Sequence, residues 1–224
     1  MHRRASPAPL VTSGSHICRV EPPGDTSSDT LLSIVSRETG ASLTRYVALV
    51  EIWTKTINLV SQGDQQSIWS RHVFDSMRLL PLIPSGTSRG ADLGSGAGFP
   101  GLVIALLTNI PFDLIEADQR KAAFLLEAKR VTGAPVTIHC ARIETLTLPR
   151  VPLVVARALA PLSTLLEYVD RLLLPNGTAL FPKGKRAHQE IENAHQAWRM
   201  QVHCHDDPRH RGSTILSVTE LSRA

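Results

Sequence analysis

Asp92-Leu93-Gly94-Ser95-Gly96-Ala97-Gly98-Phe99-Pro100-Gly101 follows a short extended run and opens an apolar helical pattern, and its reading decides the fold. Glycines at alternate positions let the main chain turn tightly and approach a ligand with no Cβ in the way, and the helix start beyond them offers unpaired N–H groups. The stretch reads as a nucleotide-cofactor loop. A pyrophosphate at a helix N-terminus is helped by positive potential, whereas a carboxylate at the mouth of the loop, here Asp92, suits a cationic ligand. S-adenosylmethionine, with its ammonium and sulfonium, is such a ligand. The dinucleotide fingerprint G-x-G-x-x-G asks for glycine where this chain has Phe99, although Glu116 stands near the distance of a ribose-binding acid. An NAD reading is weakened and stays open.

A chain of 224 residues with 42% hydrophobic content can bury one sizeable core and is short for two independent enzyme domains. Its net charge of +4 permits a polyanionic partner without demanding one. Cys18, Cys140 and Cys204 have no paired spacing, which argues against a disulfide framework and fits a reducing cytoplasm. No apolar run approaches the ~20 residues that span a bilayer, and the first thirty residues lack the hydrophobic segment of a secretory signal. A soluble, cytoplasmic monomer with no membrane attachment is expected.

Residues 1–28 are rich in Pro, Ser, Gly and Thr and read as a disordered extension. Residues 29–84 read as a helical cap: a first helix from about Asp29 to Thr39 stopping at Gly40, a second over Ser42–Asn58, and a third from Gln65 to Leu80 ending at Pro81. The second places Leu43, Tyr46, Val47, Val50, Trp53 and Ile57 along one face, and the apolar stripes, with Trp53 and Trp69, read as core contacts. Over 85–224 the pattern turns to strands alternating with helices: strands 89–93, 112–117, 136–140, 153–157 and 178–182, helices 99–108, 119–132, 163–174 and 186–197, with Pro175-Asn176-Gly177 as a turn. Two final strands, 199–204 and 213–220, read as a hairpin. The outline is Rossmann-like: a doubly wound, mostly parallel seven-stranded sheet with an antiparallel last strand, as in class I S-adenosylmethionine-dependent methyltransferases. Ligands of such sheets sit beyond the carboxyl ends of the strands.

That rule selects the candidate site residues. Asp92, Gly94, Gly96, Gly98 and Phe99 form the cofactor loop. Glu116 closes the second strand, where its two oxygens can accept both ribose hydroxyls, with Asp118 as its near competitor. Arg142-Ile143-Glu144 follows the third strand and offers Ile143 as an apolar face and Glu144 as a hydrogen-bonding group for adenine. The fourth strand runs into Val154-Val155-Ala156-Arg157-Ala158-Leu159-Ala160-Pro161, with no Asp/Asn-Pro-Pro-aromatic motif to gather an exocyclic amine and no nucleophilic cysteine for C5 chemistry. A lone-pair acceptor such as guanine N7 needs neither. Alignment and electrostatics suffice there, so no general acid or base is expected, and Arg157 and Lys183, ending neighbouring strands, are candidates to position a nucleic-acid substrate.

Lys183-Gly184-Lys185-Arg186 is a basic cluster suited to phosphate. His72 and Asp75 lie one helical turn apart with no nucleophile beside them, which favours a structural or RNA-positioning role over catalysis. In His203-Cys204-His205, strand alternation turns the cysteine away from the histidines, so no metal site is expected.

These residues resemble the small-subunit ribosomal RNA methyltransferase G family, also called glucose-inhibited division protein B, from about Asn58 onward. The likeness is carried by Asn58-Leu59, Arg71-His72 with Asp75-Ser76, the loop Asp92 to Gly101 with its Gly-Phe-Pro-Gly ending, Arg142-Ile143-Glu144, Arg157-Ala158 and Lys183-Gly184. The resemblance implies a bacterial cytoplasmic enzyme acting on 16S rRNA or on the small ribosomal subunit or its precursor. It would transfer methyl from S-adenosylmethionine to N7 of one guanine in the decoding-site loop, conventionally numbered 527. It also implies that Gly94, Phe99, Ile143, Glu144 and Arg157 contact the cofactor, with Glu116 standing where an aspartate is common. Asp207-Pro208-Arg209-His210-Arg211 lies where the family often has an Arg-His pair. A noncatalytic RNA-binding or ribosome-assembly protein and a small-molecule N-methyltransferase are the readings from other classes.

Overall fold

A computed structural model describes residues 32–61, 63, 67–207 and 212–224. The extension of residues 1–28, the beginnings of the first and third expected helices, and His210 lie outside the described residues.

Seven strands form one sheet in the order β3-β2-β1-β4-β5-β7-β6: β1 Gly90–Leu93, β2 Phe112–Glu116, β3 Val136–Cys140, β4 Val151–Ala156, β5 Leu173–Lys183, β6 Trp198–Asp206 and β7 Thr214–Arg223. The first five are parallel, and β7 runs antiparallel between β5 and β6. The expected doubly wound sheet and closing hairpin are thus present. Strand alternation sends side chains to two apolar clusters. Phe112, Leu114, Val136, Leu153 and Val155 meet helices α1 (Arg37–Thr54), α2 (Phe74–Met77), α3 (Gly101–Thr108) and α4 (Gln119–Thr132) on one face. Leu93, Ile115, Val154, Phe181 and Leu216 meet α5 (Leu162–Leu172) and α6 (Ala187–Ala194) on the other.

The N-terminal helices depart from the pattern read in sequence. Gly40 stops nothing: the Ser36 hydroxyl accepts the Thr39 N–H at 3.2 Å and caps α1, which runs through the glycine. Gly40 serves packing instead, since a Cβ there would meet Leu32 at 3.0 Å. The expected third helix is, in its described part, a π turn over Trp69–Val73 leading into α2, with Pro81 inside a 3-10 turn, Leu80–Leu82, that follows. Pro175-Asn176-Gly177 lies within β5, where the register with β4 shifts between Val151 and Leu153. Proline cannot donate to a ladder, and a bulge accommodates it. Trp53 and Trp69 pack against the first cluster, Trp53 edge-on to Phe124 at 5.7 Å. Among the described residues no helix is long and apolar enough to cross a membrane, and no group of three His, Cys, Asp or Glu is placed to hold a metal.

Candidate active site

Every parallel strand delivers one candidate segment to the same edge of the sheet: Ile143-Glu144 follows β3, Glu116 ends β2, the glycine loop follows β1, Arg157 follows β4 and Lys183 ends β5. The loop Gly94–Pro100 owes its path to left-handed backbone at Gly94 (φ 65°) and Gly98 (φ 93°), which a side chain would strain. Asp92 is fully buried beneath it. Its Oδ2 accepts the Gly101 N–H at 3.0 Å, while Oδ1 has no hydrogen-bond partner among the described residues. Burial raises the Asp92 pKa to about 7, against the opposing pull of the Gly101 N–H and of Arg157. An unmatched carboxylate oxygen beneath the glycine loop fits a ligand that carries positive charge; this is the property S-adenosylmethionine has and a pyrophosphate lacks.

Glu116 does more than was read from its position. Its Oε2 accepts the Gly96 N–H and its Oε1 the Asp118 N–H, both at 2.8 Å, so the carboxylate ties the loop to the end of β2. Two oxygens carry about four acceptor sites, which leaves capacity for ribose hydroxyls. Asp118 is occupied in capping α4 through the N–H groups of Arg120 and Lys121. Glu144 accepts the Tyr168 O–H at 2.7 Å, the main reason its carboxyl titrates below its usual range, and Ile143 is partly packed on the second cluster.

Phe99, read as a cofactor contact, is only 4% exposed. Its ring stacks on His72 at 5.0 Å, tilts against Tyr46 at 5.2 Å and lies 5.5 Å from the Arg157 guanidinium carbon. Such a ring is spent on protein contacts, and what Phe99 can offer a ligand is main chain. Arg157 also donates to the Arg71 carbonyl at 3.4 Å. His72, in the π turn, is thus built in beneath the loop, and Asp75 pairs with Arg78, which also faces Asp207.

Lys183 is likewise engaged. Its ammonium donates to Glu190 at 2.7 Å and to the Ala160 carbonyl at 2.9 Å, and Glu190 accepts the Leu162 N–H at 2.8 Å. Lysine and glutamate together hold the β4–α5 loop to α6. Lys185 and Arg186, by contrast, are exposed. A cleft of about 590 Å³ opens between Arg157, Leu159, Pro182, Lys183, Arg186 and Gln189. In its wall Ala158 adopts a left-handed φ of 53°, and Leu159 lies across the first glycine of the loop, where a Cβ on Gly94 would come within 2.6 Å of it. Sequence reasoning gave no sign of the contacts that Tyr46 makes with Ala97 and Glu190 with Lys183: the tyrosine sits in an apolar stripe at ordinary helical spacing, and no motif marks the glutamate.

The chain matches known proteins both in sequence and in fold. The family model described as rRNA small subunit methyltransferase G matches residues 39–210. The ribosomal RNA small subunit methyltransferase G of Granulibacter bethesdensis is 49% identical over 189 residues, 84% of this chain and 89% of that protein. Among solved structures, the ribosomal protein L11 methylase of Lactobacillus delbrueckii subsp. bulgaricus superposes with a TM-score of 0.55 at 17% identity, covering 72% of this chain and 80% of that one. The N-methyltransferase NodS of Bradyrhizobium japonicum, in complex with S-adenosylhomocysteine, does so at 0.51 and 15% identity, covering 81% and 97%. These two show the shared fold. The identity across most of its length and the family match over residues 39–210 mean that the chain belongs to the rRNA small subunit methyltransferase G family.

Proposed function

We propose that the protein methylates N7 of a single guanine of 16S rRNA, in the decoding-site loop, at the position conventionally numbered 527. The methyl donor is S-adenosylmethionine, which when bound supplies an electrophilic methyl group on a sulfonium. One observation carries the reading: a glycine loop tied down by Glu116 and floored by the buried, half-matched carboxylate of Asp92 lies, across Leu159, beside a cleft edged by Arg157 and Arg186.

The chain's own part is alignment. Asp92 and the loop backbone hold the donor's charged end, Glu116 its ribose hydroxyls, and Ile143 with the main chain near Glu144 its adenine. Guanine N7 bears a lone pair in the base plane and no proton, so the protein has to orient the base rather than deprotonate it. Arg157, fixed by Phe99 and the Arg71 carbonyl, stands at the cleft to orient a guanine oxygen or a phosphate. Lys185 and Arg186, exposed at the lip, supply phosphate contacts that set register without reading sequence. Lys183 contributes by holding the wall. Such an enzyme works in the cytoplasm, where its substrate is made.

The test is transfer of labelled methyl to small subunits and to 16S rRNA from a strain lacking this protein, with the product mapped by cleavage at N7-methylguanine. A single N7-methylguanine in the decoding loop is the expected result. Labelling of small molecules alone, or no labelling with donor binding intact, would overturn the reading.

A further inference from the structure

We propose that Tyr46 is a positioning residue of the cofactor loop, and that helix α1 is thereby a working part of the methyl donor's site. This rests on the reading that Gly94–Gly98 holds the donor. Tyr46 lies 51 residues before Ala97 in sequence, on a helix that carries none of the candidate site residues. It is completely buried, and its phenolic O–H donates to the Ala97 carbonyl at the crown of the loop.

The surrounding atoms show a built contact. A Cβ at Gly98 would lie 3.0 Å from the phenol oxygen, so the third glycine of the motif leaves the space the hydroxyl uses. The Gly98 N–H of the same peptide donates to the Ser95 carbonyl at 2.7 Å. The Ala97–Gly98 peptide is therefore held at both polar ends, inside the loop by its N–H and from α1 by its carbonyl. On either side, Gly96 is tied to Glu116 and Gly101 to Asp92. Without the phenol, the Ala97 carbonyl would be the one link in this series facing the apolar cluster with no donor, and the peptide plane would be free to turn toward water. Turning it repoints the main chain against which the donor lies. The ring of Tyr46, packed on Phe99 and Phe124, fixes where the hydroxyl sits, so the helix transmits its position to the loop. Burial also pushes the phenol's pKa well above its usual value, which keeps it a donor over the working pH range.

Tyr46→Phe keeps the ring and removes only the donor. Val50→Ala, from the same buried face of α1, loosens packing while offering the loop no polar change. Affinity for S-adenosylhomocysteine is measured by calorimetry at a temperature where both variants are folded, and melting temperatures are recorded with and without saturating ligand. The ligand-dependent rise in melting temperature serves also for a variant too unstable for calorimetry.

Tyr46→Phe is expected to weaken binding roughly tenfold, the scale of one lost buried hydrogen bond. Val50→Ala should melt earlier yet bind within about twofold of the parent. Parental affinity in Tyr46→Phe, or equal weakening in Val50→Ala, overturns the inference, the second because α1 would then act by general stability. Gly94→Val separates this from the reading beneath. If it loses binding while Tyr46→Phe does not, only the role of Tyr46 falls; if it keeps parental affinity, the loop is not the donor's site and both readings fall.

Discussion

The imidazole of His72 stacks on the ring of Phe99, centroids 5.0 Å apart and planes 26° from parallel. A π turn is thereby locked to the glycine loop, and π turns recur at functional sites because they re-aim side chains that a regular helix would send elsewhere.

Phe99→Ala should cost about 3–5 kcal/mol of stability, the range for emptying a buried aromatic position. It should also weaken donor binding, because Tyr46, His72 and Arg157 lose their common surface. Phe99→Leu should recover much of the stability and little of the binding. Chemical denaturation and calorimetry on the two variants check this; full recovery of binding by leucine would mean that the ring contributes volume alone.

Asp92 gives a pH dependence with a definite sign. Its folded pKa, about 7, lies above the ordinary 3.8, so the native state retains the proton longer than the unfolded chain does. The associated stability is full below about pH 4 and is lost as pH rises through 7, by up to about 4 kcal/mol. Asp92→Asn has no such titration. The stability of the parent relative to Asp92→Asn should therefore fall between pH 4 and 7 and level off above, as read from urea melts. Affinity for S-adenosylmethionine should rise over the upper part of that range in the parent only, since a cation favours the ionised carboxylate.

Lys183 and Glu190 should behave as one unit. Their side chains are 10% and 23% exposed, so removing either leaves a poorly solvated charge, at a cost of about 2 kcal/mol. The pair Lys183→Met with Glu190→Gln should be less harmful than the two single costs added, with a coupling of about 1–2 kcal/mol in a double-mutant cycle. Strict additivity would show that the 2.7 Å contact does no coupling.

Lys185 and Arg186 are where RNA affinity should be lost without loss of fold. Each change to alanine should reduce the slope of log affinity against log salt by about 1 and leave S-adenosylhomocysteine binding unaltered. Filter binding across a salt series reads it directly. An unchanged slope would move the phosphate contacts elsewhere.

Much of this was legible in sequence because local chemistry and global fold agree there. Asp92 to Gly101 combines backbone demands with a strand before it and an apolar helix after it, so turn, strand and helix point to one arrangement. Gln119–Thr132, capped by Asp118 and closed by Gly133, was read to its ends for the same reason. What escaped depends on long-range contact. Gly40 is a stop signal by propensity, yet Ser36 and the neighbourhood of Leu32 decide its use. Lys183 sits in a basic run and reads as a phosphate ligand; only the fold reveals Glu190 beside it. Phe99 is specific as a letter of the motif, but which way its ring points is fixed by His72, Tyr46 and Arg157, which come from three separate elements. Sequence patterns report what a residue does to its own segment, and these roles belong to pairs.

The position of β7 between β5 and β6 bears on how the chain is made. Residues 198–206 leave the ribosome before residues 214–223, yet among the described residues β6 has no neighbour in the sheet except β7. Until β7 arrives, the nascent protein carries β5 as a bare edge and the sequence of β6 with nothing to pair against. That edge includes Phe181 and ends at Lys183, the residue that secures the wall of the cleft. Synthesis of β7 thus closes a sticky flank and steadies the strand end at Lys183 in one step, and a chain cut short before Thr214 would present to its neighbours the open strand that β7 covers.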